Sequence, residues 1–465
     1  MVERMAAPRL DDAELAEYTA RGLAHLWVHN TNYADLAKPG GMLILTEGEG
    51  IWLKDAQGKR YIDALSGLWV VNAGHGRKEL AEVAAEQLRN VAYINTFAYT
   101  TLPPIDLAAK LAEITVEGIE RFFFVNSGAE AVETAIKMAK QYHYNAGDSK
   151  RFKIISRRGS YHGQSMGAIS VNGAAYTRRA PFEPLMPGSL FVPGINCYHC
   201  PYEKTYPACN AFCGAKAIEQ LIQFEKPETI AAFIAEPIST AHGCYVPPAE
   251  YWQGIRAICD KYGILLIADE VINGFGRTGK WFGIQHFGVK PDITTMAKGL
   301  SSGYLPISCA GATTAVAERF VGTGNTFAHN STFGTHPVAA AVALANLGII
   351  EREGLVENSA TMGAYLKQLC LALAERHPLI GDVRGIGLML QIELVKDRAT
   401  HEPFSDADGM NEKLTPKLLE RGLLTRAGGA INLAPPLCIT RPECEEIAAI
   451  IDGALTELEA ELKVG

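Results

Sequence analysis

The sequence predicts an α/β protein, with one large domain whose mostly parallel sheet is covered by helices and a smaller α+β domain assembled from both ends of the chain. Three observations predict it. Between Arg121 and Ala310, short apolar runs alternate with amphipathic helical segments, the rhythm of strand and helix in a sheet covered on its faces. Residues Gly50–Asp63 pattern as a β-hairpin. Leu355–Arg376 and Arg441–Lys463 carry helical periodicity and flank a short β segment near Gly387–Leu394. The expected boundaries are residues 1–68 for the N-terminal part of the small domain, 69–340 for the large domain and 341–465 for the C-terminal part of the small one. No internal repeat and no low-complexity tract interrupts this organisation.

In chain order, the hairpin is Ile51-Trp52-Leu53, a turn at Asp55–Gly58, then Tyr61-Ile62. The large-domain strands are Phe122–Val125, Phe152–Ser156, Ala231–Ala235, Ile264–Ala268, Ile293–Met296 and Ile307–Ala310. Helices are expected over Ala129–His143, Pro248–Tyr262 and Pro337–Glu353. The apolar run Ala339–Ile350 is too short to span a bilayer and reads as a buried helix.

Composition narrows the classes of function. With 465 residues, 48% hydrophobic and 20% charged, the chain is long enough for two or three compact units and reads as soluble and globular. A formal charge of −8 offers nucleic acid or an anionic membrane no broad cationic surface, so neither is expected as a partner. The opening residues Met1–Met5, followed by Asp11, Asp12 and Glu14, lack the apolar region of a secretory signal, which predicts a cytoplasmic protein. Of the 10 cysteines, six are scattered and read as reduced core residues, and four are clustered.

The chemistry is carried by loops after predicted strands. Phe122–Val125 runs into Asn126-Ser127-Gly128-Ala129-Glu130, where free N–H groups and the positive end of a helix dipole make an anion site, or a simple N-cap. Ile264–Ala268 ends in Asp269-Glu270-Val271. Ligands of open α/β sheets bind outside the carboxyl ends of the strands, so Asp269 points into that crevice and could keep a pyridine nitrogen protonated; a turn or capping role is the plainer alternative. After the next strand comes Met296-Ala297-Lys298-Gly299, a lysine placed where nearby cations or an apolar pocket would lower its proton affinity, as a Schiff-base lysine needs. Tyr161-His162-Gly163 offers an aromatic face for a flat heterocycle.

Together with Ala235-Glu236-Pro237-Ile238, Gly274-Phe275-Gly276-Arg277-Thr278-Gly279, and Thr332-Phe333-Gly334 with His336-Pro337, these segments resemble the class III aminotransferases, the ω-transaminase group, over nearly the whole chain. The resemblance implies fold type I of the pyridoxal-5'-phosphate enzymes, with a seven-stranded, mostly parallel sheet. It implies that Lys298 is the Schiff-base lysine and proton carrier, Asp269 the pyridinium partner, Val271 the residue packed behind the ring, Tyr161 the stacking aromatic that also borders the substrate, and His162 a further cofactor-binding residue. Ser127, Gly128 and Ala129 would form the phosphate cup, and Thr332 would add a phosphate contact from the neighbouring subunit of a homodimer, or of a tetramer built from such dimers. Trp69 and Phe97 resemble substrate-pocket walls, Arg426 the mobile arginine that pairs with a substrate carboxylate, and Glu236 an acidic position near the cofactor. The implied reaction is a ping-pong transfer from an amine or ω-amino acid, such as taurine or β-alanine, to a 2-oxo acid, pyruvate. Aminomutases and racemases share the lysine and aspartate and are the second reading.

Two motifs stand outside this set. Gly274 to Gly279 is formally G-x-G-x-x-G, the fingerprint of an NAD-dependent oxidoreductase, but the following Lys280-Trp281-Phe282-Gly283 is not helix-like as that motif demands. Cys197-x2-Cys200-x8-Cys209-x3-Cys213 suggests a tetrathiolate site for zinc or an iron–sulfur cluster, or four free thiols in a loop. The cluster resembles the taurine–pyruvate branch of the family.

Overall fold

A computed structural model describes residues 9–38, 40–173 and 179–463. Its centre is the predicted α/β sheet. The strands are β4 (Ile119–Val125), β5 (Lys153–Arg157), β6 (Ser189–Val192), β7 (Ile230–Ala235), β8 (Leu265–Asp269), β9 (Ile293–Met296) and β10 (Ser308–Thr313), after three strands β1 to β3 nearer the N-terminus. They lie in the order β4-β10-β9-β8-β7-β5-β6. β10 is antiparallel to both of its neighbours, and the other pairs are parallel. Six strands therefore end on one edge of the sheet, and the segments after β4, β5, β7, β8 and β9 all emerge there.

Burial explains why these strands read so plainly. All six residues of β7 and all five of β8 are buried, so neither face needs polar alternation. β6, which the sequence reading missed, is the edge strand, mostly half-buried and bracketed by Pro187 and Pro193. Proline is tolerated at such an edge because one side of the strand needs no ladder partner.

Both ends of the chain join in one sheet. β1 (Leu45–Glu49), β2 (Trp52–Asp55) and β3 (Arg60–Asp63) run antiparallel, β2–β3 being the predicted hairpin, and β14 (Leu423–Leu424) adds to β3 in parallel. A second sheet holds β11 (Ile380–Gly385), β12 (Leu390–Asp397) and β13 (Glu402–Pro403), with β15 (Ala430–Leu433) on the free edge of β12. The Leu355–Arg376 and Arg441–Leu462 helices pack on each other and share one apolar core with Phe275, Phe282, Leu300 and Ile62. Ala339–Ile350 lies within the Pro337–Arg352 helix, most of whose residues are buried. No helix among the described residues is long and apolar enough to cross a membrane.

Candidate active site

The floor of the site is built where β8 and β9 end side by side. Asp269, the last residue of β8, pairs with Thr295 of β9 in the ladder and accepts a 2.9 Å hydrogen bond from that threonine's hydroxyl. Its Oδ1 also accepts the Val271 N–H at 3.1 Å, and its Oδ2 lies 2.6 Å from His162 Nδ1. Both side chains are almost fully buried. His162 thus sits behind the carboxylate, its backbone N–H held by the Asn172 side chain. An aspartate fastened by three groups keeps one orientation, as a group that must meet a ring nitrogen requires.

Two residues beyond β9, Lys298 occupies a left-handed backbone conformation, φ 47°, rare for a residue with a side chain. Its Nζ lies 5.9 Å from the Trp69 ring centre. Burial is the main reason that its pKa falls to about 8; Asp269 opposes the drop, and Arg426 and Arg277 add to it. A substantial share of its amine is therefore neutral and nucleophilic near pH 8.

Above the floor, the helix Gly128–Asn145 opens with Ser127 as its cap. The Ser127 hydroxyl accepts the Glu130 N–H, and Glu130 Oε2 accepts the N–H groups of Asn126 and Ser127. This capping box leaves the Gly128 and Ala129 N–H groups at the positive end of the helix. A Cβ on Gly128 would stand 2.9 Å from Val271 Cγ1, so only glycine lets the helix start come this close to the strand end carrying Asp269.

The Tyr161 segment is held from behind. Its N–H donates to Glu236 Oε1 at 3.0 Å, and Glu236 Oε2 forms a fully buried ion pair with Arg157 at 2.9 Å. Burial alone would raise the Glu236 pKa, but His162, Arg157 and backbone N–H groups outweigh it and hold it low. The Glu236 carboxylate is thus engaged by the protein and serves the tyrosine loop.

The rim comes from distant sequence. Trp69 is only 7% exposed, and the guanidinium of Arg426 lies 5.7 Å from its ring centre, so Lys298 and Arg426 approach one indole. Phe97 is 82% exposed and Thr332 is exposed, its carbonyl accepting from the Tyr93 hydroxyl at 2.8 Å. In a single chain, then, Trp69, Lys298, Asp269 and Arg426 converge, whereas Phe97 and Thr332 face outward.

The glycine run Gly274–Gly279 opens no helix and wraps Arg277, which is fully buried and donates to Leu388 O, Pro435 O, Ser66 Oγ and Asn72 Oδ1. The expected zinc or iron–sulfur centre at Cys197, Cys200, Cys209 and Cys213 is not met. Among the described residues no group of three or more His, Cys, Asp or Glu side chains is arranged to hold a metal ion. Burial, then the neighbouring thiols, push the Cys213 pKa up to about 11, so this group is a protonated thiol at neutral pH. Other contacts fasten this excursion: Tyr198 stacks on His401 with ring centres 4.1 Å apart, and His199 meets Glu393 at 2.9 Å.

Sequence reading also passed over Arg157, Asn172 and Thr295. Arg157 and Thr295 lie in strands that read as wholly structural, and Asn172 lies in a loop; only their partners reveal them.

A model of the family described as "Aminotransferase class-III" matches residues 35–455. The taurine–pyruvate aminotransferase of Bilophila wadsworthia is 39% identical over 457 residues, covering 96% of this chain and 98% of that protein. The putrescine–pyruvate aminotransferase of Pseudomonas aeruginosa is 37% identical, covering 97% and 98%. The crystal structure of a thermostable (S)-enantioselective ω-transaminase from Thermomicrobium roseum matches with a TM-score of 0.92 at 44% identity, covering 95% of this chain and 98% of that one.

Proposed function

The chain belongs to the class III aminotransferases, which use pyridoxal 5'-phosphate, and we propose that it takes the amino group from an amine or ω-amino acid, taurine and β-alanine included, and passes it to pyruvate in two half-reactions. One observation carries the reading: a lysine of lowered pKa and an arginine approach the same indole, beside a thrice-held aspartate. The residues fit the cofactor, offering an amine for its aldehyde, a carboxylate for its ring nitrogen and an open helix end for its phosphate. When bound, the cofactor supplies a carbonyl that condenses with amines and a ring that accepts electrons from the donor's carbon.

The chain's own residues do the rest. Lys298 Nζ would hold the cofactor through its aldehyde and would carry the proton that leaves the donor's carbon. Asp269, braced by His162 and Thr295, holds the proton on the ring nitrogen. Tyr161 and Val271 would line the space the cofactor's ring takes. Gly128 and Ala129 N–H groups and the Ser127 hydroxyl bind the phosphate. Arg426 binds the carboxylate of the 2-oxo acid and swings off Trp69 when an amine without a carboxylate enters. Both named relatives act with pyruvate, which supports that acceptor.

We place the working unit at a homodimer. Tyr93, Phe97, Tyr99, Leu102, Ile105 and Phe333 are all exposed. So much exposed apolar surface on neighbouring segments is unusual for a monomer. A second copy covering it would bring its Phe97 and Thr332 to this chain's pocket and phosphate site. The test is a donor panel of taurine, β-alanine, putrescine and benzylamine with pyruvate, followed by alanine release and by chromatographic mass. Turnover that needs no keto acid would instead favour an aminomutase or racemase, and a purely monomeric active species would overturn the shared site.

A further inference from the structure

The second sheet carries a row of polar residues that ends at the loop of Arg426. Arg384 of β11 is paired with Gln391 of β12, and Gln391 with Asn432 of β15, so the three stand directly opposite one another across adjacent strands. Arg384 Nη2 donates to Gln391 Oε1 at 2.7 Å, Gln391 Nε2 donates to Asn432 Oδ1 at 3.0 Å, and Asn432 Nδ2 donates to the Arg426 carbonyl at 3.2 Å. The same carbonyl accepts the Asn432 backbone N–H at 3.1 Å, and the Thr425 hydroxyl donates to the Asn432 carbonyl.

The direction of this row follows from chemistry. A guanidinium has donors only. Arg384 therefore fixes which end of the Gln391 amide faces it, Gln391 fixes the Asn432 amide, and Asn432 must present N–H to the Arg426 carbonyl. Arg384 is itself immobilised: its guanidinium lies 4.0 Å from the Tyr245 ring centre and pairs with Asp382 at 2.9 Å and Glu393 at 2.5 Å. Its Nε also donates to the Gly243 carbonyl. Gly243 has φ +126°, and a Cβ there would stand 2.6 Å from Arg384 Nη2 and 2.7 Å from Gln391 Oε1, so a side chain at that position would break the row at its source. Gln391 and Asn432 are buried, where an amide pointed the wrong way leaves an unmet donor or acceptor.

We propose that Asn432, oriented through Gln391 by Arg384, is a positioning residue for substrate carboxylates: it pins the Arg426 backbone so that only the arginine side chain moves between its bound and withdrawn positions. The proposal rests on Arg426 being the carboxylate partner and adds what makes that partner dependable. An arginine on a loosened loop would lose carboxylated substrates while leaving amines without a carboxylate alone.

The experiment compares holoenzymes carrying Asn432→Leu, Gln391→Glu, Arg426→Ala, and Arg426→Ala combined with Asn432→Leu. Pyruvate KM, benzylamine KM and kcat are measured beside the thermal midpoint. Asn432→Leu is expected to raise pyruvate KM about 3- to 10-fold, the scale of one lost hydrogen bond, with benzylamine KM within about twofold of the parent. Gln391→Glu, with no donor for Asn432, should turn that amide over and shift pyruvate KM in the same sense, which keeps the test alive should Asn432→Leu fold poorly. In the Arg426→Ala background, Asn432→Leu should add nothing to pyruvate KM. An equal rise for both substrates, or an undiminished rise without Arg426, overturns the positioning role. If Arg426→Ala itself leaves pyruvate KM unchanged, the carboxylate reading of Arg426 falls and the proposal with it; if it raises pyruvate KM but the Asn432 and Gln391 variants do not, only the proposal falls.

Discussion

The floor and the rim of this site are built in opposite ways. On the floor, Asp269, His162 and Thr295 lie on or behind adjacent strands, buried and hydrogen-bonded to one another. On the rim, Trp69, Arg426, Phe97 and Thr332 come from four separate segments in the two halves of the chain, and all but Trp69 are exposed. Rigid, dry groups suit proton and electron chemistry that every substrate shares. Mobile, solvent-facing groups suit the discrimination of one substrate from another. Chemistry and choice are thus separated in space, joined through Trp69, which both Lys298 and Arg426 approach.

The sharpest way to break this division is Lys298→Ala, which should lower turnover about 10⁴-fold for every donor alike, because both nucleophile and proton carrier are lost. A loss confined to some donors, read in the same donor panel, would mean that the floor also selects. Asp269→Asn should cost about 10²- to 10³-fold, again uniformly, since a neutral amide cannot hold the ring-nitrogen proton; single-turnover rates check it. Arg426→Ala should act on choice alone, raising pyruvate KM roughly 10- to 100-fold while benzylamine KM stays near the parental value.

Acidity sharpens the picture of the floor. The neutral amine captures the aldehyde, and the Lys298 pKa is lowered to about 8. Reconstitution of the cofactor-free protein, followed by absorbance, should therefore accelerate from pH 7 to 9 and level off, where an ordinary lysine would keep gaining to above pH 10. The same shift means that the folded state binds fewer protons than the unfolded one between about pH 8 and 10.5. The lysine's contribution to stability thus rises with pH through that window. The smallest effect is expected at the cysteine segment: chelator treatment, or Cys197→Ser with Cys200→Ser, should leave kcat within about twofold and shift the melting midpoint little, as for surface changes generally.

Legibility in the sequence followed the same division. β7 and β8 are continuous apolar runs because both sheet faces are covered, and Asp269 at the end of β8 and Lys298 just after β9 stood out against that background. β6 escaped because an edge strand between prolines lacks such a run. Arg277 was visible as a letter of a glycine motif, yet its four neutral oxygen partners lie on segments from both termini. The cysteine spacing suggested a metal centre because spacing carries no information on where thiols point once a loop is pinned by His199 and Tyr198.

The places of most buried strands along the chain, and that a carboxylate and a lysine follow two of them, were determined by the sequence alone, since apolar runs of strand length suit a sheet covered on both faces. The tertiary structure decided what stands behind and around those groups: His162 against Asp269, Arg157 against Glu236, and the row from Arg384 to the Arg426 carbonyl. The contacts of His162 with Asp269, Arg157 with Glu236 and Gln391 with Asn432 join residues far apart in the chain, and a polar side chain's partner is set by where folding brings its neighbours, which no local pattern encodes.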